Sequence, residues 1–255
     1  MKTLFISILI LASIQLEVEA QQKAELFPLS AVRLEDDLFL KAQQNNLKYI
    51  LALEPDRLLA PFLKEAGLKP KAPFYVSWES SGLGGQTGGH YLSSLSLMYA
   101  STGNEELKKR LNYMIDELEQ CQQKNANGYV GGVPDGMAIW ADIAAGKLEV
   151  SNFSLNKKWV PWYNLHKLYA GLIDTWEITR NAKAKQILIK LADWCLTTTS
   201  KLSDEQMQDM LRCEHGGMNE VLAQVAFITG DDKYLKLANR FSHQFILNPL
   251  LQSKD

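Results

Sequence analysis

Cysteine is scarce in this chain: Cys121, Cys195 and Cys213 are the three in 255 residues, odd in number, far apart, and without any C-x-x-C or Cys-Cys pair. Zinc sites are built from closely spaced thiolate and imidazole donors, so no zinc site is expected from this chain alone. A surplus of one charge is also missing. With 27 basic and 29 acidic side chains and no run of like sign, nothing points to a nucleic-acid groove or an anionic membrane surface as partner. The longest apolar run, Leu4 to Leu16, is well short of the about 20 residues needed to span a bilayer. Alternating strand patterns are nearly absent.

What remains is a short leader and a repeat. Met1-Lys2-Thr3 is a basic start, the apolar run follows, and Val18-Glu19-Ala20 places small residues where a signal peptidase cuts. Residues 1–20 therefore read as a cleaved secretory signal, which sets the mature chain in a secreted or periplasmic location. In the remainder, Thr102-Gly103-Asn104, Thr179-Arg180-Asn181 and Thr229-Gly230-Asp231 each close a helical stretch almost free of charge, and each is followed by an amphipathic helix. Recurrence on this scale points to stacked helix pairs.

The charge-free stretches are 90–101, 168–178 (apart from Asp174 and Glu177) and 221–229. A helix apolar all round must be covered all round. Their partners carry one-sided stripes: Leu107 to Cys121, Ile187 to Thr198, and Tyr234 through Phe241 to Phe245. Gly103 and Gly230 suit left-handed C-caps, and Asn104, Asn181 and Asp231 suit N-caps of the next helix. Ahead of them, Phe39, Ala42, Asn46, Tyr49, Ile50 and Leu53 recur at helical spacing, and a second helix runs from Arg57 to Ala66. Residues 123–160 are the largest interruption, with turns and one short helix over 137–145. The fold expected is all-α: an α/α toroid of inner helices hairpinned to half-exposed outer ones.

In such a toroid the N-terminal ends of the inner helices converge on one rim. His90, His166 and the cluster Glu214, His215, Asn219 and Glu220 fall at matching places in the three repeats, and together would line a polar pocket. Singly, each histidine is as readily a helix cap or a carbonyl partner. Trp162 beside Tyr163 offers the flat apolar face and polar edge on which sugars stack, whereas Trp176 and Trp194 read as core. The five glycines in 74–89 permit close backbone approach to a ligand, or merely a flexible connector. A glycosidase needs two carboxylates or another nucleophile plus an acid. Glu79, Glu214 and Glu220 are available, and no spacing singles one out.

These motifs together resemble glycoside hydrolase family 127. Phe27-Pro28-Leu29 through Val32-Arg33-Leu34, Ala42-Gln43, Asn46 and Asp56-Arg57-Leu58-Leu59 carry its opening. Trp78-Glu79, Gly89-His90-Tyr91-Leu92-Ser93, Val160-Pro161-Trp162-Tyr163, His166-Lys167, Ala170-Gly171 and Glu214 through Glu220 follow in order. The resemblance spans residues 27–255. It implies an (α/α)6 barrel and retaining hydrolysis of β-L-arabinofuranosides in plant-derived glycans, with His90, His166 and Trp162 as sugar-contacting positions. It also implies a cysteine nucleophile, a zinc held by glutamate and cysteines, and a separate glutamate as acid/base, from an E-x-C motif and a Cys-Cys pair. None of the three cysteines here matches either motif, so no catalytic and no metal-binding residue is assigned.

Residues 21–255 are accordingly expected to be the N-terminal portion of such a catalytic domain, about four of six hairpins. This portion would hold the sugar-pocket half, bind an arabinose-containing glycan, and have the missing C-terminal part as its partner. A non-catalytic helical-repeat module for glycan or protein is the alternative. A polysaccharide lyase or uronyl hydrolase fits less well, because no arginine stands ahead of an inner helix to hold a uronate.

Overall fold

The structure is a computed structural model that describes residues 26–214 and 216–254. The leader expected at residues 1–20 and His215 lie outside the described residues. Eleven α-helices carry the described fold. The first four are α1 Leu38–Ala52, α2 Pro55–Glu65, α3 Gln86–Thr102 and α4 Glu105–Asn125, followed by the short α5 Gly136–Ala144. Then come α6 Pro161–Thr179, α7 Ala182–Thr199, α8 Asp204–Leu211, α9 Met218–Thr229, α10 Asp232–Arg240 and α11 Gln244–Leu251. None is long and apolar enough to cross a membrane.

Local chemistry sets most boundaries. Asn104, Asn181 and Asp231 accept from the backbone N–H groups of Glu106, Ala184 and Lys233, satisfying donors that the first helical turn leaves open. Gly103 and Gly230 close α3 and α9 in the left-handed region at φ +69° and +72°. Arg180 takes the same conformation at φ +56° to close α6 without a glycine. Ser203 and Gln206 form the capping box of α8, each side chain bonding the other's backbone N–H.

The helices form four hairpins in two layers, an arc of a toroid. Inner α1, α3, α6 and α9 lie side by side, and outer α2, α4, α7 and α10 pack behind them in the same order. The stripes on the outer helices are what the layers bury. Leu107, Leu111, Met114, Ile115 and Leu118 on α4 and Ile187, Leu188, Leu191 and Cys195 on α7 are essentially inaccessible. Each large aliphatic among them contributes about 1.5–3 kcal/mol relative to exposure. Tyr129, Trp140, Trp162, Trp194 and Phe241 interlock beneath α5 and α6, with ring centroids 4.6 to 6.2 Å apart.

Four expectations change. The inner helices are not covered on every side: Phe227 on α9 is 87% exposed and Leu97 on α3 is 43% exposed. On α1 only Ile50 is buried, while Phe39 and Tyr49 of the same stripe face solvent. The third outer stripe breaks at Phe241, so Phe245 belongs to α11 and is exposed. Trp176 is only half-buried, under the cations of Arg180 and Lys185.

Residues 150–159 also fold as a small antiparallel sheet, β1 Val150–Ser151, β2 Ser154–Leu155 and β3 Lys158–Trp159. Its second turn puts Asn156 and Lys157 at positive φ, the twist a two-residue hairpin requires.

Candidate sugar-binding rim

The rim is built by an unusually close approach of α3 and α6. A Cβ added at Gly89 would lie 2.3 Å from the carbonyl carbon and oxygen of Lys167, and one at Gly171 would lie 2.4 Å from the Gly89 oxygen. Such distances exclude any side chain, so the two backbones touch. Farther along the same seam Ser96 and Thr175 face each other with hydroxyl oxygens 3.4 Å apart. Because Gly89 meets Lys167 and Leu168, His90 on α3 and His166 on α6 stand at the same height on neighbouring helices. The two imidazoles are near enough for the charge of one to oppose protonation of the other.

The helix that carries His90 starts earlier than the sequence indicates. Gln86 to Gly89 form the first turn of α3 rather than a connector. Glycine density here serves packing. A Cβ at Gly132 would sit 2.5 Å from the Gly84 oxygen, so the loop before α3 lies backbone-on-backbone against the loop after α4. Gly85, at φ +91°, leaves room for the Phe62 ring.

Two buried glutamates hold the helix starts. Glu79 accepts from the N–H of Gly85 at 2.7 Å and of Thr87 at 2.8 Å. Glu214 accepts from the N–H of Trp162 at 2.8 Å and of Tyr163 at 2.9 Å. Asn164 joins the two starts by donating to the Gly84 carbonyl at 2.9 Å. Each carboxylate thus satisfies open donors at the positive end of a helix. Burial pushes the Glu214 carboxyl up to about 7, against the two N–H bonds that pull it down. Both glutamates were available as glycosidase carboxylates from sequence, but their oxygens are occupied inside the fold.

Around the histidines the charges form one patch. Lys167 lies with its ammonium 4.5 Å from the centre of the Tyr163 ring. His90 is exposed, but the protein packed around one side of its ring desolvates the imidazole and lowers it, and Lys167 lowers it further. His166 is lowered by burial and then by Lys167, while Glu220 works in the opposite direction. Asp174, one helical face along, is raised by burial against a hydrogen bond from Ser93. Both imidazoles are held toward the neutral form, able to donate and to accept as sugar hydroxyls require.

Trp162 is a correction. Its indole is 1% exposed and wedged among Trp140, Trp194 and Phe241, with Nε1 donating to the Met210 sulfur at 3.2 Å. No face is open to a sugar, because the partners that bury it come from α5, α7, α8 and the turn after α10. Its backbone N–H, not its ring, serves the site. The aromatic rings that do face outward near the rim are Trp78 and Trp159, on the segments leading into α3 and α6. Position relative to the helix starts was the available signal for them.

The cysteines do not fit zinc. All three are free and buried; burial, with Glu117 beside Cys121 and Glu214 beside Cys213 adding to it, pushes those two thiols up to about 12, and burial pushes Cys195 higher still. Among the described residues no three His, Cys, Asp or Glu side chains converge as a metal would need. A cleft of about 970 Å³ opens between α8 and α11, lined by Gln208, Arg212 and Phe245 among others, and includes neither rim histidine.

A family model described as "Beta-L-arabinofuranosidase, GH127 catalytic domain" matches residues 31–255. Among solved structures, the chain is similar to a GH127 β-L-arabinofuranosidase from Geobacillus stearothermophilus T6. That match has a TM-score of 0.58 and 18% identity, over 88% of this chain and 35% of that one. At that identity the likeness speaks for the fold, and this chain spans about a third of that protein's length. No curated protein matches.

Proposed function

Because the chain belongs to the family of the GH127 β-L-arabinofuranosidase catalytic domain, we propose that it forms the sugar-holding wall of a secreted arabinofuranosidase. His90 and His166 hold hydroxyls of a terminal L-arabinofuranose unit of a plant-type glycan. The leader at residues 1–20 directs the chain out of the cytoplasm. Zinc and a thiolate nucleophile, which the family resemblance implies for hydrolysis, come from polypeptide outside residues 1–255. The thiols in this chain are buried, protonated and apart, and so cannot serve.

One observation carries this reading: the Gly89–Gly171 approach, which sets two near-neutral imidazoles side by side at the N-terminal rim. Titration of the purified chain with L-arabinose, followed by heat or by imidazole NMR, tests it. Saturable binding lost in His90→Ala and His166→Ala is expected, with no turnover of an aryl β-L-arabinofuranoside. Turnover by this chain alone would require carboxylate chemistry within it and overturn the division of labour.

A non-catalytic glycan-binding module is the second reading. It draws on the exposure of Trp78 (61%) and Trp159 (39%), which leaves their rings free to stack on a longer glycan. Losing arabino-oligosaccharide affinity in Trp78→Ala and Trp159→Ala, with the histidine variants unaffected, would favour it.

A further inference from the structure

His166 occupies a niche that only glycine permits. A Cβ added at Gly217, the residue that opens α9, would lie 2.4 Å from Nε2 and 2.7 Å from Cδ2 of the imidazole. The ring therefore rests on the backbone at the start of α9. There Nε2 lies 3.5 Å from Oε2 of Glu220, an ion-pair distance without hydrogen-bond geometry, while Oε1 of the same carboxylate accepts from Gln224 at 3.2 Å. The His166 side chain is 12% exposed and Glu220 63% exposed, so the carboxylate reaches inward from solvent to the ring. Both ring nitrogens are shielded and neither makes a hydrogen bond among the described residues, so the carboxylate at ion-pair distance from Nε2 is what distinguishes the two. The groups that bear on this imidazole come from three helices: His90 of α3, Lys167 of α6 and Glu220 of α9.

We propose that Glu220 is a positioning residue for His166, fixing the neutral imidazole in its Nε2–H tautomer and so making Nδ1 an obligate acceptor. The carboxylate accepts and cannot donate, so the single ring proton resides on the nitrogen that faces it. Nδ1 is closed to solvent in this conformation, so a ligand that completes it must displace part of that cover and bring a donor. Sugar hydroxyls qualify, whereas carboxylate and phosphate oxygens do not. This deepens the sugar-binding reading, on which it rests for the identity of the ligand, by assigning the direction of one hydrogen bond: from ligand O–H to His166.

The test is a long-range ¹H–¹⁵N spectrum of the imidazoles in the purified chain at alkaline pH, with the His166 signals identified by their loss in His166→Gln. The wild type is expected to show Nε2 protonated and Nδ1 bare. Glu220→Gln, which retains a carbonyl acceptor, keeps that tautomer, whereas Glu220→Ala yields a mixture. Affinity for L-arabinose falls about tenfold in Glu220→Ala and much less in Glu220→Gln. A wild-type ring protonated on Nδ1, or an unchanged spectrum in Glu220→Ala, overturns the proposal. The spectra decide this without sugar, so failure of the wild type to bind L-arabinose would count against the sugar-binding reading and leave the tautomer result standing.

Discussion

Gly89 and Gly171 meet across the α3–α6 seam, with room between them for no atom larger than hydrogen: a Cβ at Gly171 would stand 2.4 Å from the Gly89 oxygen. Gly89→Ala and Gly171→Ala must therefore push two backbones apart. Overpacking of this kind costs about 1–3 kcal/mol or more. Gly103→Ala is the control: its added Cβ meets nothing within 4 Å, and only the strain of φ +69° is felt. Urea unfolding should rank both seam variants below Gly103→Ala, and the seam variants should also weaken L-arabinose binding while Gly103→Ala leaves it intact.

Glu79 acts as a joint, not as an acid. Glu79→Ala leaves the N–H groups of Gly85 and Thr87 without their acceptor at a buried helix start. An unsatisfied buried donor costs about 1–3 kcal/mol, so the expected loss is on the order of 2–5 kcal/mol by thermal or urea unfolding. A wild-type unfolding midpoint in Glu79→Ala would remove Glu79 from the scaffold.

Glu214 should imprint a pH slope on stability. Its folded carboxyl is raised to about 7 from an ordinary 4.5, so between these values the folded state holds a proton that the unfolded state has lost. Stability from this group is therefore full below about 4.5 and declines as pH rises toward about 7. Glu214→Gln cannot titrate. The melting-temperature advantage of the wild type over Glu214→Gln should shrink between pH 5 and pH 7.5, and a gap independent of pH would contradict the assignment.

Desolvation depresses both rim histidines, and the charge of Lys167 depresses them further. Replacing it by Met removes a positive charge, which favours the imidazolium, so both titrations should move upward when followed by NMR. In the wild type, imidazoles lowered below the ordinary 6.5 remain neutral through pH 7 and gain a proton only in more acid solution. L-Arabinose binding that depends on neutral rings is then lost as pH falls, and in Lys167→Met it is lost at a higher pH.

The buried thiols should be inert. Cys121 and Cys195 are 0% exposed and Cys213 is 2% exposed, with thiols raised by burial. A thiol reagent should leave the native chain unmodified at pH 8 and label all three positions in denaturant. Rapid labelling of the native chain would show that these sulfurs are open to solvent.

The sequence was most legible where structure is decided locally. Asn104, Asn181 and Asp231 cap helices with bonds to residues two or three positions away, and each stands where expected. The four-hairpin plan also follows from short-range periodicity. Legibility fails where the deciding partner is remote. The start of α6 is capped by Glu214, some fifty residues later, so neither the helix boundary nor the carboxylate's role is visible nearby. Trp162 looks like a stacking platform until α5, α7 and α8 deliver the side chains that enclose it. The small sheet lacks an Asn-Gly turn, and is anchored from afar where Phe153 donates its N–H to the Cys213 carbonyl at 2.8 Å. The third outer stripe is broken because Arg240 reaches back to the Thr199 and Leu202 carbonyls, turning the chain after α10.

The contact between Gly84 and Gly132 has a consequence for how this part of the fold can vary. Side chains ordinarily buffer one part of a protein from changes in another, since a displaced rotamer absorbs the disturbance. No rotamer lies between these two strands of chain, so the approach to α3, the helix that carries His90, is drawn by the path of the main chain itself. Substitutions in the surrounding layers can reshape neighbouring surfaces over generations while that junction keeps its outline.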